Sequence, residues 1–152
     1  MENIEILKKV AQLFNKNKIR WAIGGSTLLY FYDILDNPND LDIIINPKDK
    51  DKVFNILDKL GRSVESSPVK NYKTEVFKKY YVQNVEIDII GAFYIKTEDG
   101  YYLHPFNKDE LKEKCLDGIN IILDSLINWK YTYKAMGDPK NRVKLIEDYL
   151  NK

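Results

Sequence analysis

The sequence predicts an α+β, or mixed α/β, fold in which a mostly antiparallel sheet is flanked by helices. Three observations support this prediction. Apolar residues recur at helical spacing near both ends of the chain, and short β-branched or aromatic segments alternate with turns in its middle. Two neighbouring pairs of these segments are joined by turns typical of hairpins, at Gln83-Asn84 and Asp99-Gly100.

The helices are predicted from amphipathic spacing and from capping residues. Leu7, Val10, Ala11 and Phe14 share one face, so the first helix is expected to end near Asn17. Capping residues and apolar periodicity predict further helices over residues 26–35, 46–60, 107–115, 125–136 and 139–150.

The strands are predicted from short apolar segments bounded by turn residues. They are expected over residues 19–23, 41–45, 74–82, 85–90, 93–96, 101–103 and 119–123. We find no internal repeat, low-complexity tract or Pro/Gly/Ser-rich linker, so residues 1–152 are predicted to form a single domain. Antiparallel pairs in the middle and helices at both ends argue against a doubly wound parallel sheet.

Composition indicates a cytoplasmic globular protein. Hydrophobic residues make up 44% and charged residues 31%, and no segment approaches the length of a membrane span. The 24 basic and 23 acidic residues give a net charge of +1, which does not favour nucleic acid or a membrane as partner. Cys115 is the one cysteine, so an internal disulfide and a thiolate metal cluster are excluded. His104, the one histidine, is expected to be structural or exposed.

Two acidic residues interrupt an otherwise apolar strand. Asp40 and Asp42 in "NDLDIII" point to the same face because side chains alternate along a strand. Neighbouring carboxylates repel each other unless a positive charge offsets them, and Mg²⁺ is a hard cation that carboxylates bind. The alternative is that Asp40 is only a turn residue after Asn37-Pro38-Asn39.

A second acidic strand follows in "VEIDII", where Glu86 and Asp88 share one face. If this strand lies beside the strand that carries Asp42, three acids converge. Three carboxylates can hold two metal ions about 3.5–4 Å apart, which together stabilise a phosphoryl transfer. A solvated strand face is the alternative explanation for these two acids.

A glycine turn follows the first predicted strand. Gly24 and Gly25 allow a backbone conformation that approaches a ligand closely, and Ser26 suits the N-cap of the next helix. A helix N-terminus favours phosphate. The segment matches neither the P-loop nor the Rossmann pattern, and its alternative is a plain strand-to-helix connection.

Taken in order, "IGGSTLLYFY", "NDLDIII" and "VEIDII" resemble the nucleotidyltransferase superfamily that includes DNA polymerase β, and most closely its small stand-alone prokaryotic members. "DGYYLHPFN" and "GINIILDSL" are similar to further segments of these proteins, so the resemblance spans most of the chain. It implies the nucleotidyltransferase fold. It also implies a Mg²⁺-dependent enzyme, with two ions, that moves a nucleoside monophosphate from a triphosphate such as ATP to a hydroxyl.

The resemblance also implies the site residues. Asp40, Asp42 and Asp88 would bind the metal ions and form the catalytic set, with Asp88 a possible base toward the acceptor hydroxyl. Asp88 is preferred to Glu86 because its distance from Gly91 matches the family pattern. The implied nucleotide-binding residues are Gly24, Gly25 and Ser26.

The acceptor and the source of positive charge stay open. The resemblance allows an antibiotic-like small molecule, a protein or RNA as acceptor, and a homodimer or a partner protein could complete the site. "DILDNPND" lacks the base that many relatives carry there, and Ile127 and Asp138 stand where small relatives have Glu and Arg. The alternative is therefore a catalytically weak nucleotide-binding or regulatory module, or a toxin–antitoxin component. The lysines that could supply the charge are Lys70, Lys73, Lys78 and Lys79.

Overall fold

The computed structural model describes residues 2–64 and 73–152, which contain helices at both ends and strands throughout. The helices are α1 (Glu2–Lys16), α2 (Gly25–Phe31), α3 (Lys50–Leu60), α4 (Leu126–Ala135) and α5 (Arg142–Leu150). The strands are β1 (Trp21–Gly24), β2 (Leu41–Ile45), β3 (Arg62–Val64), β4 (Val76–Val82), β5 (Val85–Gly91), β6 (Tyr94–Thr97), β7 (Gly100–Leu103), β8 (Lys112–Leu116) and β9 (Ile119–Leu123). None of the described helices is both long and apolar enough to cross a bilayer.

Seven strands form one mixed sheet in the order β3-β4-β5-β2-β1-β9-β8, and β6 and β7 form a separate hairpin. Neighbouring strands run antiparallel except at β2–β5 and β1–β9, which are parallel. The sheet is therefore mostly antiparallel and is flanked by helices. This confirms the predicted α+β class and both predicted hairpins.

The two faces of the central strands have different surroundings. Leu41, Ile43 and Ile45 alternate along β2 and are fully buried on one face, as is Ile87 on β5. The opposite face of the same strands carries the acidic residues, with Asp42 opposite Asp88 in the parallel pair. The apolar face holds the central strands in register, and this register fixes where the acids lie.

The helix predicted for residues 107–115 is wrong. Only a short 3₁₀ turn, Lys108–Glu110, forms there, and Lys112–Leu116 is an edge strand paired with β9. The reason is the turn at Asp117-Gly118, where both residues have positive φ of 51° and 79°. Asp-Gly between two extended segments is a strong hairpin signal, and it overrides weak helical spacing in the segment before it.

The helix predicted for residues 26–35 is shorter and begins differently. It starts at Gly25, with Gly24 as N-cap, so the prediction of Ser26 as N-cap is wrong. It ends at Phe31 because Asp33 has a φ of 59° and the Ile34 N–H donates to the Leu29 carbonyl. The predicted cap at Asn46 is confirmed, since its side chain accepts from the Lys48 N–H. The predicted cap at Asn107 is wrong, because its side chain makes no capping hydrogen bond.

Candidate active site

The acidic residues come together through strand pairing. In the parallel pair β2–β5, Asp42 lies opposite Asp88, and on β4 Lys79 is the partner of Asp88 and Tyr81 the partner of Glu86. Paired residues point to the same face of a sheet. The sheet therefore places Glu86 and Asp88 of β5 between Asp42 of β2 on one side and Lys79 and Tyr81 of β4 on the other.

Three carboxylates form the tightest group. One oxygen each from Asp40, Glu86 and Asp88 lies within 4.8 Å of the others. Asp42 adjoins this group through Asp88, which is its neighbour across the strand pair. The structure thus brings the three predicted acids together and adds Glu86, which sequence reasoning had placed on the same face but left outside the metal-binding set.

Crowding and burial shift the carboxyl pKa values upward. Burial, followed by the charges of Asp88 and Asp40, raises the pKa of Asp42 to about 7, against the opposing charge of Arg142. Burial and a hydrogen bond with Glu86 raise the pKa of Asp40 to about 6, and burial also raises the pKa of Asp88. The positive charge near these acids is therefore too small to keep all of them ionised at neutral pH.

Glu86 is the exception in the cluster. Lys79 Nζ lies 2.9 Å from Glu86 Oε2, and the Tyr81 hydroxyl donates to Glu86 Oε1 at 2.8 Å. The hydrogen bond from Lys79 is the largest influence on the pKa of Glu86, and together with the hydrogen bond from Tyr81 it lowers that pKa. Glu86 is thus ionised and already satisfied by residues of β4.

The candidate lysines lie in different places. Lys78 is on the opposite face of β4 from Lys79, and its Nζ lies 4.5 Å from the centre of the Phe54 ring. Lys73 Nζ lies 4.5 Å from the centre of the Tyr101 ring. Lys70 lies outside the described residues. Lys79 contacts two of the acids, Glu86 and Asp88.

The residues present fit a divalent cation. Asp88 Oδ1 is buried and makes no hydrogen bond to any residue in 2–64 or 73–152, although Lys79 Nζ lies 3.4 Å away. This oxygen has the charge of Lys79 nearby but no hydrogen-bond donor among those residues, and a carboxylate oxygen of this kind is a ligand that Mg²⁺ accepts. Burial is the main cause of the raised pKa values of Asp40 and Asp42, and the neighbouring acids add to it.

The two glycines make room for side chains of the site. Gly25 has a φ of +59°, and a Cβ there would lie 2.1 Å from Asp42 Oδ2. A Cβ on Gly24 would lie 2.3 Å from Cζ2 of Trp129. Gly24 and Gly25 are therefore required by close packing against a carboxylate and an indole, in addition to any closeness to a ligand.

Ser26 and Thr27 hold the segment that leads into β2. Ser26 Oγ accepts from the Asn39 N–H at 2.9 Å, and Thr27 Oγ1 donates to the Asp40 carbonyl at 3.0 Å. Both side chains are buried. They fix the backbone on which Asp40 stands. The Ser26 hydroxyl retains one proton to donate, which keeps it compatible with a phosphate-binding role.

A pocket of about 260 Å³ opens beside Asp42 and Asp88. Its walls are mainly aromatic and its rim is cationic; the residues that give it this character are Phe77, Phe93, Trp129, Tyr133, Lys140 and Arg142. Arg142 Nη1 donates to the Tyr133 hydroxyl at 3.0 Å, and its charge acts on Asp42. Sequence reasoning missed Arg142, because nothing in its neighbourhood in the chain indicates that α5 packs against the pocket.

A buried polar network supports the pocket wall. Asp124 Oδ2 accepts from Trp129 Nε1 at 2.9 Å and lies 2.7 Å from His104 Nε2. The other ring nitrogen of His104 contacts the Thr132 hydroxyl. Asp124, His104 and Thr132 are all buried. His104 was expected to be either structural or exposed. The structure confirms the first, because the ring is buried and hydrogen-bonded inside the protein.

Asp124→Ala is expected to lower the free energy of unfolding by about 3 kcal/mol, because the Trp129 N–H and the His104 ring lose a buried acceptor. Urea unfolding followed by circular dichroism measures this. The matched control is Asp148→Ala, whose exposed ion pair with Lys144 contributes less than about 1 kcal/mol. Equal effects of the two substitutions would contradict the role of the network.

The chain matches no family model and no curated protein sequence, and its likeness to known proteins lies in its three-dimensional structure. TM1012 of Thermotoga maritima, classed as a nucleotidyltransferase, is similar with a TM-score of 0.70 and 18% identity, over 99% of this chain and 93% of the other. ANT(2'')-Ia, solved in complex with adenylyl-2''-tobramycin, gives a TM-score of 0.69 and 14% identity over 99% and 90%. The chain has the nucleotidyltransferase fold.

A third structure with the nucleotidyltransferase fold is the lincosamide antibiotic adenylyltransferase LnuA, solved with lincomycin. It gives a TM-score of 0.64 and 15% identity, over 94% of this chain and 95% of the other. At such identities the likeness establishes the fold alone. The structure also accounts for Asp138, one of the positions where the sequence departs from small relatives: it caps α5 by accepting from the Arg142 N–H at 2.7 Å.

Proposed function

We propose that the protein is a Mg²⁺-dependent nucleotidyltransferase, which moves a nucleoside monophosphate from a triphosphate to a hydroxyl of an acceptor and releases pyrophosphate. The observation that carries this proposal is a group of crowded carboxylates beside a pocket lined in part by Lys140 and Arg142. Asp40, Glu86 and Asp88 converge in this group, and Asp42 is paired with Asp88. On a nucleotidyltransferase fold, carboxylates without sufficient counter-charge are suited to bind a metal ion and a triphosphate together.

The proposed roles follow from position. Asp40, Asp42 and Asp88 would hold Mg²⁺, which when bound neutralises phosphate charge and stabilises the attacking and leaving oxygens. Asp88 would also accept the proton of the acceptor hydroxyl, a role that its raised pKa supports. Gly24, Gly25 and Ser26 would bind the phosphates, with Ser26 donating its hydroxyl proton.

The acceptor is proposed from the acceptors of similar proteins, the character of the pocket and the net charge of the chain. ANT(2'')-Ia is an antibiotic-resistance factor and LnuA is a lincosamide antibiotic adenylyltransferase, so a small-molecule acceptor is our first choice here too. A pocket of about 260 Å³ with aromatic walls suits a small apolar or planar group. A protein side chain and an RNA end are the alternatives, and the net charge of +1 favours RNA least.

Two measurements test the proposal. Thermal unfolding with ATP, GTP, CTP and UTP, each with and without Mg²⁺, should show a Mg²⁺-dependent rise for at least one nucleotide. A ligand at 100 times its dissociation constant adds about 2.7 kcal/mol, which is roughly 5–10 °C for a chain of this size. Pyrophosphate release across a panel of hydroxyl acceptors then tests transfer. Binding without release would favour the regulatory module, and no binding would contradict the proposal.

Arg142→Gln is expected to weaken nucleotide binding by about tenfold or more, because a charge-assisted hydrogen bond to phosphate contributes about 1.5–3 kcal/mol. Titration calorimetry with Mg²⁺ and the selected nucleotide measures it. Lys144→Gln is the matched control, since Lys144 lies on the same helix, is 81% exposed and pairs only with Asp148 among the described residues. If both variants bind like the wild type, Arg142 has no part in triphosphate binding.

A further inference from the structure

Lys79 occupies the part of the acidic cluster where a cation would bind. Its ammonium lies 2.9 Å from Glu86 Oε2 and 3.4 Å from Asp88 Oδ1. Glu86 and Asp88 are two of the three acids whose oxygens converge within 4.8 Å, and Asp40 is the third. The Lys79 side chain is only 25% exposed, so it is held at the cluster and does not extend into solvent.

The strand register explains why the ammonium reaches both carboxylates. Lys79 is the cross-strand partner of Asp88 in the antiparallel pair β4–β5, and Tyr81 is the partner of Glu86. Lys79, Tyr81 and the two acids therefore stand on one face, and the lysine lies between the acids. The placement follows from the backbone of the sheet and requires no loop or terminal segment.

Charge balance limits what else the cluster can accept. Asp40, Asp42, Glu86 and Asp88 are four carboxylates, and among the described residues Lys79 and Arg142 are cationic groups whose charges act on them. An excess of two negative charges remains when all are ionised. One divalent ion would neutralise this excess, whereas a second ion would have to compete with an ammonium tethered at a high effective concentration.

We propose that Lys79 is a built-in cation of this site, which takes the place of a second metal ion and limits the nucleotide-free protein to one divalent ion. This inference rests on the metal-binding role given to the acids under the proposed function. It also gives Lys79 a different role from Arg142: Lys79 neutralises the carboxylates, and Arg142 faces the pocket. Removal of the ammonium should open the Glu86–Asp88 side to metal.

The test is a titration with Mn²⁺, without nucleotide, at pH 8 and low ionic strength, in which electron paramagnetic resonance measures the free ion. The wild type should bind one ion. Lys79→Met should bind Mn²⁺ at least about tenfold more tightly or bind a second ion, because an intramolecular competitor is gone. Lys79→Arg should behave like the wild type. Lys78→Met is the matched control from the opposite face of β4, and it should change nothing.

The outcomes distinguish failure of the inference about Lys79 from failure of the proposed metal site. Equal or weaker Mn²⁺ binding by Lys79→Met, or two ions bound by the wild type, would overturn the inference and leave the proposed function intact. No Mn²⁺ binding by any variant would overturn both, because the acids would then not form a metal site. If Lys79→Met is poorly folded without metal, its thermal midpoint with and without Mn²⁺ replaces the titration. A larger rise than in the wild type supports the inference, and an equal or smaller rise overturns it.

Discussion

Asp42→Asn is expected to abolish nucleotide transfer, by about 10³-fold or more, and yet to stabilise the metal-free protein at pH 8. The loss follows if Asp42 is a metal ligand. The gain in stability follows from the raised pKa of Asp42, about 7 in the folded protein against an ordinary value of 3.8. The folded state then holds a proton that the unfolded chain releases near pH 4.

The direction of the pKa shift of Asp42 determines the pH range over which the free energy of unfolding changes. Because the folded pKa is the higher one, stability from this group is largest at low pH and is lost as the pH rises from about 4 to about 7. A difference of this size corresponds to at most about 4 kcal/mol. Asp42 is partly exposed to solvent and lies among other acids, so we expect the asparagine variant to recover about 1–2 kcal/mol of this above pH 7.

Urea unfolding between pH 4 and pH 8 and pyrophosphate release measure the two effects. Asp99→Asn is the matched control, because Asp99 is exposed in the turn of the β6–β7 hairpin, which is separate from the sheet that carries the acids. It should leave both properties unchanged. A destabilised Asp42→Asn at pH 8 would show that the carboxylate is satisfied within the fold, and retained transfer would exclude it as a catalytic ligand.

Gly25→Ala is expected to lower the free energy of unfolding by about 2–4 kcal/mol, and the midpoint of thermal unfolding by roughly 5–15 °C. Two causes add. The φ of +59° is unfavourable for alanine, and the new Cβ would lie 2.1 Å from Asp42 Oδ2. Any relaxation that relieves this clash moves a carboxylate of the site, so we expect nucleotide transfer to fall with stability.

Gly118→Ala separates the two causes. Gly118 has a φ of +79° and no atom within 4 Å of the position of a new Cβ, so it reports the backbone effect without the clash. It should cost only about 1–2 kcal/mol. The double variant Gly25→Ala with Asp42→Ala removes the carboxylate that causes the clash. We expect a coupling of at least about 1 kcal/mol between the two substitutions, and strict additivity would contradict the contact.

Local chemistry predicted most of the central fold. The hairpins at Gln83-Asn84 and Asp99-Gly100 follow from turn residues between extended segments, and the cap at Asn46 follows from an Asn-Pro pair. The wrong prediction of a helix over residues 107–115 also has a local cause. The Asp117-Gly118 turn specifies a hairpin there, and the first strand of that hairpin is polar. An exposed edge strand such as Lys112–Leu116 has no apolar alternation to mark it.

The candidate site was predictable only in part. Asp42 and Asp88 come from two acidic strands, and their pairing needed one assumption, that the strands are neighbours, which the structure confirms. Lys79 was one of four candidate lysines, and the two-residue turn at Gln83-Asn84 sets the register that pairs it with Asp88. The place of Arg142 could not be predicted, because it depends on how α5 packs beside the pocket, which no local pattern in the sequence encodes.

The parallel pairing of β2 with β5 has a consequence for how the protein acquires its site. Asp42 and Asp88 meet only when two strands that are distant in the chain align in register. Pairings of this kind close a long loop, and the entropy of closing that loop opposes them until the strand contacts form. A slip of β2 by one residue against β5 would turn Asp42 to the opposite face and bring isoleucines of β2 to the face that carries Asp88. The β4–β5 hairpin alone carries Glu86, Asp88 and Lys79, and the complete site requires closure of the central sheet, which adds Asp42.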